Sequence, residues 1–276
     1  MSITEYRRPR SIAEASELLS AGDAVALAGG TDLVVGLRHG KVAASMLVDL
    51  KSVEDLRCDI VLDDGRLVIG ARVVMAELVD HPLIARWAPS LAEAAAVVGS
   101  VQIRNRATLV GNLCNASPAA DTAPVLLAHD AAVFIAGRRG ARTVPVTEFF
   151  AGPGRTVLEP GELVVAVGLP ATDDRFGSAF ARVTRRRGVD LASVNLACVV
   201  RPGGEVRFGF GAVAPTPVAA VSTVDDLATE DGMERLLSVT SPISDVRAGA
   251  DYRRAMLRVH TRRALDMALA RFRGRA

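Results

Sequence analysis

The sequence predicts an α+β fold in three parts, and three observations carry that prediction. Residues 1–57 alternate short apolar runs with capped helical segments, the pattern of a small α/β unit. Residues 58–172 open on a hairpin signal, continue through helices and close on further strands. Residues 173–276 place strands first and helices after, an α+β order.

In the first part, Ser11-Ile12-Ala13-Glu14 is a capping box that predicts a helix to about Ser20, closed by Gly22. Residues 25–28 predict a strand and 46–50 another. Between them Gly29-Gly30 turns the chain, and Thr31 or Asp32 is placed to cap a short helix over 33–37. The second part begins with Ile60-Val61-Leu62 and Leu67-Val68-Ile69 on either side of Asp63-Asp64-Gly65, a hairpin signature. A later helix is expected to open on the capping box Ser90-Leu91-Ala92-Glu93. Strands are expected near 131–136, 143–146 and 163–169. Pro170 and the polar run Thr172-Asp173-Asp174 mark a boundary. The last part predicts strands near 178–184, 194–200 and 206–213, with Pro202-Gly203-Gly204 in one turn, then helices ending in a long one near 252–271.

Half of the 276 residues are apolar and 23% are charged, a globular composition with enough chain for a sizeable core. A net charge of +2 is too balanced for a nucleic-acid surface. Arginine supplies almost all positive charge, with Lys41 and Lys51 the lysines, and this reads as compositional bias without functional content. Cys58, Cys114 and Cys198 stand far apart with no C-x-x-C, so neither an iron–sulfur cluster nor structural zinc is expected within the chain. Isolated thiols in odd number fit a reducing cytoplasm. No apolar run approaches the roughly 18 residues of a membrane span, and Glu5, Arg7, Arg8 and Arg10 interrupt the N-terminus where a signal peptide would be apolar.

Two glycine-bearing segments carry the chemistry. The first runs Leu27-Ala28-Gly29-Gly30-Thr31-Asp32-Leu33, and the second Ala107-Thr108-Leu109-Val110-Gly111-Asn112, followed by Ser117-Pro118-Ala119-Ala120-Asp121. Neither is a Walker A loop. Both combine glycines that expose backbone N–H groups with small hydroxyl or amide side chains, as a diphosphate requires. Thr108 and Asn112 can donate to phosphate oxygens, and Asp121 can accept from a sugar hydroxyl. The competing reading of the second segment is a polar loop held by its own side-chain turns.

Other signals carry less. Gly209-Phe210-Gly211-Ala212-Val213-Ala214 fits G-x-G-x-x-A, but Pro215 and Pro217 follow at once and prevent the helix that this fingerprint needs. Its small residues fit close packing of a strand instead. His39, His81, His129 and His260 are scattered and carry no assigned role. No Gly-x-Ser-x-Gly elbow supports serine hydrolysis. Arg185-Arg186-Arg187 reads as a solvated turn, with a protein-docking or flavin-proximal role the minority reading.

In combination these segments resemble the FAD-binding, or medium, subunit of the molybdenum hydroxylases, the xanthine dehydrogenase and carbon monoxide dehydrogenase family. The resemblance runs nearly end to end. It includes Tyr6, Pro9, Ser11, Glu14 and Ala15, then both glycine segments with Gln102-Ile103-Arg104-Asn105-Arg106 ahead of the second. It continues through Thr122-Ala123-Pro124, the stretch from Arg186 to Asn195, Tyr252-Arg253-Arg254 and Arg263-Ala264-Leu265. It implies a two-part FAD-binding domain of the vanillyl-alcohol-oxidase-like (PCMH) type, over 1–57 and 58–172, and a C-terminal α+β domain over 173–276. It implies non-covalent FAD, because no histidine lies in either loop. The pyrophosphate would lie on Ala26, Leu27, Ala28, Gly29, Gly30, Thr31, Asp32 and Leu33, and on Thr108, Leu109, Val110, Gly111 and Asn112. Asp121 would hold a sugar hydroxyl, Leu163 would lie toward the adenine, and Val98 and Arg182 toward the flavin ring. No residue is assigned to acid–base catalysis and none to a metal. Two departures stand out. Val110 replaces a glycine of the family's second loop, a poor substitute wherever φ must be positive, and Arg182 replaces a frequent lysine.

The implied role is electron transfer within a complex. A large subunit would carry the molybdenum cofactor and a small one [2Fe-2S] clusters, assembled as a dimer of heterotrimers. Electrons would pass through FAD to NAD, oxygen or a quinone. The alternative is a stand-alone FAD-dependent oxidoreductase acting directly on a small organic substrate.

Overall fold

The computed structural model describes residues 3–171, 175–186 and 188–274. The polar run 172–174 and Arg187 lie outside the described residues. A parallel sheet opens the chain, with β1 (Glu5–Arg7), β2 (Ala24–Leu27) and β3 (Met46–Asp49) in the order β1-β3-β2. Helix α1 (Ile12–Leu19) links β1 to β2, and α2 (Leu33–Arg38) links β2 to β3. Ser11 caps α1 as its sequence predicts, accepting from the Glu14 amide. The Glu14 carboxylate instead takes the Arg10 amide at 2.7 Å. Leu27 pairs with Asp49 in parallel register, so the turns after β2 and β3 leave the same end of the sheet. That carboxyl end is where open α/β sheets form ligand crevices.

An antiparallel sheet follows. β4 (Ile60–Asp63) and β5 (Arg66–Gly70) form the anticipated hairpin. The chain then runs through α3 (Met75–Asp80), α4 (Pro82–Trp87), α5 (Pro89–Ala96), α6 (Val101–Arg104), α7 (Leu109–Cys114) and α8 (Thr122–Ala128). It returns as β6 (Ala132–Gly137) and β7 (Gly140–Pro145), turns through α9 (Val146–Phe149) and the small hairpin β8 (Phe150–Gly152) and β9 (Arg155–Thr156), and enters β10 (Leu163–Pro170). The sheet order is β4-β5-β10-β6-β7.

The capping box expected at Ser90 does not form. Helix α5 begins two residues earlier than that box would place it, on Pro89, which has no N–H to leave unpaired at that position. Ser90 is buried and its hydroxyl lies 3.0 Å from His129 Nε2. Glu93 reaches out of the helix to accept from the Phe180 amide at 3.0 Å.

The C-terminal sheet is a meander of β11 (Gly177–Val183), β12 (Val194–Val200), β13 (Glu205–Gly211) and β14 (Val218–Thr223). Helices α10 (Val224–Leu227), α11 (Glu230–Leu237) and α12 (Ala250–Arg273) follow, and α12 lies across β11 and β12. Strand β14 is not among the strands expected from the sequence, because its alanines dilute the strand signal. Gly209 explains the spurious dinucleotide motif. A Cβ there would lie 2.0 Å from the Pro124 carbonyl oxygen, so the small residues of β13 let α8 pack against the strand. Phe208 and Phe210 stack with centroids 5.5 Å apart in the C-terminal core. Arg253 is buried and donates to Asp245 at 2.7 Å and to the carbonyls of Ser193 and Ala212, each at 2.8 Å.

Candidate cofactor site

The two glycine-bearing segments meet. A Cβ on Gly29 would lie 2.0 Å from the Arg106 carbonyl oxygen, and one on Gly111 would lie 4.0 Å from the Ala28 Cβ. The first loop therefore presses its bare backbone on the stretch that leads into the second, an approach that needs glycine at 29. Gly30 sits at φ +75°, in the left-handed region that other residues enter only with strain.

Ala26 and Leu27 end β2, and Leu33 begins α2. Between them the loop is open. Among the described residues, the amides of Gly29, Gly30, Thr31, Asp32 and Leu33 find no protein acceptor. Asp32 occupies the N-cap position of α2 without making a side-chain cap bond. Consecutive unpaired amides around a glycine turn form an anion-binding concavity.

The second segment is organised differently. Thr108 caps α7, its hydroxyl oxygen accepting from the Gly111 amide at 2.9 Å, which leaves its own O–H free to donate. Thr108 also bridges to Val74, and the Ala107 carbonyl accepts from the Met75 amide at 2.8 Å. Asn112 accepts from the Thr122 hydroxyl at 2.7 Å through its carbonyl oxygen and keeps its NH2 group. Leu109 is fully buried in the core behind the loop. Val110 corrects an expectation. It lies inside α7, is buried in the same core and has no positive φ, so its branched side chain meets no backbone strain there.

Asp121 stands at the N-cap of α8 but makes no cap bond. One carboxylate oxygen accepts from Arg182 at 2.9 Å and the other from Asn195 Nδ2 at 2.9 Å. Burial pushes the Asp121 carboxyl up to about 6, against the opposing pull of Arg182 and Asn195. Arg182 also donates to the carbonyls of Val97 and Asp190, each at 2.9 Å. It thus ties the end of α5, next to Val98, to the segment after β11. Val98 itself accepts from Arg104 at 3.2 Å. In the same segment Arg185 lies 3.7 Å from Asp190, and Arg186 donates to the Val189 carbonyl, so both close the turn. Sequence reasoning missed Asn195, whose signal is only that a fully buried amide on a strand must find partners. Leu163 opens β10 opposite Ala136 and is 3% exposed, so its side chain has little surface left for a ligand.

Residues 2–172 match the family model described as the FAD binding domain in molybdopterin dehydrogenase, and 179–268 match the carbon monoxide dehydrogenase flavoprotein C-terminal domain. The chain belongs to this family of FAD-binding subunits. It is 33% identical to a putative xanthine dehydrogenase FAD-binding subunit of Escherichia coli, over 96% of each chain. It is 32% identical to the carbon monoxide dehydrogenase medium chain of Hydrogenophaga pseudoflava, over 97% of each. A solved structure of carbon monoxide dehydrogenase from that organism superposes with a TM-score of 0.89 over 98% of each chain, at 32% identity. Quinoline 2-oxidoreductase from Pseudomonas putida gives 0.87 at 29% identity, over 99% of this chain and all of the other.

The chain is thus an oxidoreductase subunit of the molybdenum hydroxylase family, with the two-part FAD-binding domain and C-terminal domain that the resemblance implied. Its own residues fit the cofactor. Five unpaired amides suit a pyrophosphate, and the glycine at 29 lets the loop that carries them pack directly on the Arg106 backbone.

Proposed function

We propose that this chain is the electron-transfer subunit of a molybdenum hydroxylase, standing between a [2Fe-2S] partner and a terminal acceptor. The convergence of the open first loop on the Arg106–Gly111 stretch supports this reading most. When bound, FAD supplies storage for two electrons and their release to NAD, oxygen or a quinone. The amides of Gly29 to Leu33 hold the pyrophosphate, with the Thr108 hydroxyl and the Asn112 amide as donors from the facing side. Asp121 keeps free lone pairs on both oxygens and accepts from a sugar hydroxyl while Arg182 and Asn195 fix its direction. Val98 and Arg182 form the wall nearest the flavin ring, and the Leu163 backbone lies toward the adenine. The functional units are 1–57, 58–172 and 173–276.

A large subunit with the molybdenum cofactor completes the complex as a dimer of heterotrimers in the cytoplasm. No helix among the described residues is long and apolar enough to cross a membrane. The test is the native mass of the protein from its own source, with flavin, iron and molybdenum measured on one sample. A complex several times the 29.0 kDa chain that carries all three is expected. A small flavin-only species would instead favour the stand-alone oxidoreductase.

A further inference from the structure

A lysine in the turn after β3 has a contact that the arginine-rich composition conceals. Lys51 lies in the short turn Leu50–Ser52, directly after β3. The parallel pairing of Leu27 with Asp49 brings this turn beside the first loop. Lys51 Nζ donates to the Ala28 carbonyl at 3.2 Å and lies 2.5 Å from Asp49 Oδ1. Asp49 is 3% exposed. It also accepts from the Lys51 amide at 3.0 Å and from the Tyr6 hydroxyl. These contacts hold the carboxyl below its ordinary value although burial pulls the other way.

A carbonyl oxygen carries negative partial charge, so one turned toward a diphosphate would repel it. The Ala28 carbonyl immediately precedes the unpaired amides of Gly29 and Gly30, and an ammonium group engages it. We propose that Lys51 is a positioning residue for FAD: held by buried Asp49, it pins the Ala28 carbonyl so that the following amides converge on the pyrophosphate. The ammonium also adds positive charge at that end of the cofactor, where phosphate oxygens need it. A lysine suits the place because a compact point charge can reach a carboxylate and a carbonyl together. This inference rests on FAD binding by the first loop.

The test is titration of the full-length apoprotein with FAD, for the natural chain, Lys51→Met and Lys51→Arg, at low and high salt. Each unliganded protein is also melted. Losing one charge-assisted contact should weaken FAD binding about tenfold in Lys51→Met at low salt. The gap should shrink as salt screens it. Lys51→Arg should recover most of the affinity; Lys51→Met also strips buried Asp49 of its cation and should melt lower, so affinities are compared at a temperature where every unliganded protein is fully folded. Equal FAD affinity in Lys51→Met and the natural chain would overturn the proposal, as would a loss in Lys51→Met that salt leaves unchanged. Failure of the natural chain itself to take up FAD would overturn the reading of the loop, a result distinct from either.

Discussion

The two glycine-bearing segments look alike in sequence and behave differently in structure. In the first, five consecutive amides are left without acceptors among the described residues. In the second, Thr108 caps its own helix, Asn112 receives Thr122, and Ala107 bonds to Met75. The first segment is a surface prepared for an anion. The second is a scaffold that sets the distance to it. Glycine content alone does not distinguish the two; the fate of the backbone N–H groups does.

The largest expected effect separates space from conformation at the first loop. Gly29→Ala would drive a methyl group onto the Arg106 carbonyl. Overpacking against backbone costs ~3 kcal/mol, and if the loops part to relieve it, FAD binding should weaken about a hundredfold. Gly30→Ala meets side-chain ends rather than backbone, Leu27 Cδ1 at 3.0 Å and Val34 Cγ2 at 3.5 Å, and carries the left-handed strain of about 1–2 kcal/mol. Its loss should be smaller when both variants are titrated with FAD. The reverse order would mean that contact between the loops does not set the site.

Next comes the buried clasp between the second segment and the C-terminal sheet. Arg182→Met leaves Asp121 buried without its cation and should cost about 3 kcal/mol in urea unfolding. A loss below about 1 kcal/mol would show the clasp to be no better than a surface ion pair.

The smallest effect is a pH signature. The folded state holds the Asp121 proton up to about pH 6, above the ordinary carboxyl value of about 3.9. That group therefore favours the folded state fully below about pH 4, and its contribution is lost as pH rises through about 6. The difference in melting temperature between the natural chain and Asp121→Asn should drift over this interval and be flat above about pH 7. A constant difference from pH 4 to 7 would place the Asp121 pKa near its unfolded value.

Much of this was legible in the sequence where the signal is local. Asp63-Asp64-Gly65 dictates its hairpin, Ser11 dictates the start of α1, and the prolines after Gly211 exclude a dinucleotide helix. What escaped depends on partners distant in the chain. Ser90 and Glu93 read as a capping box, yet His129 and the Phe180 amide claim their side chains. Val110 read as a source of strain because its place in a helix was not evident. Asn195 and Lys51 gained meaning only when the fold brought Asp121 and Ala28 to them. Local spacing carries no information about those pairs.

The most direct test is a crystal structure of the chain with FAD bound. The pyrophosphate oxygens should lie within hydrogen-bonding distance of the amides from Gly29 to Leu33, with Thr108 and Asn112 on the opposite side. A pyrophosphate seated elsewhere, with those amides facing solvent, would contradict the account.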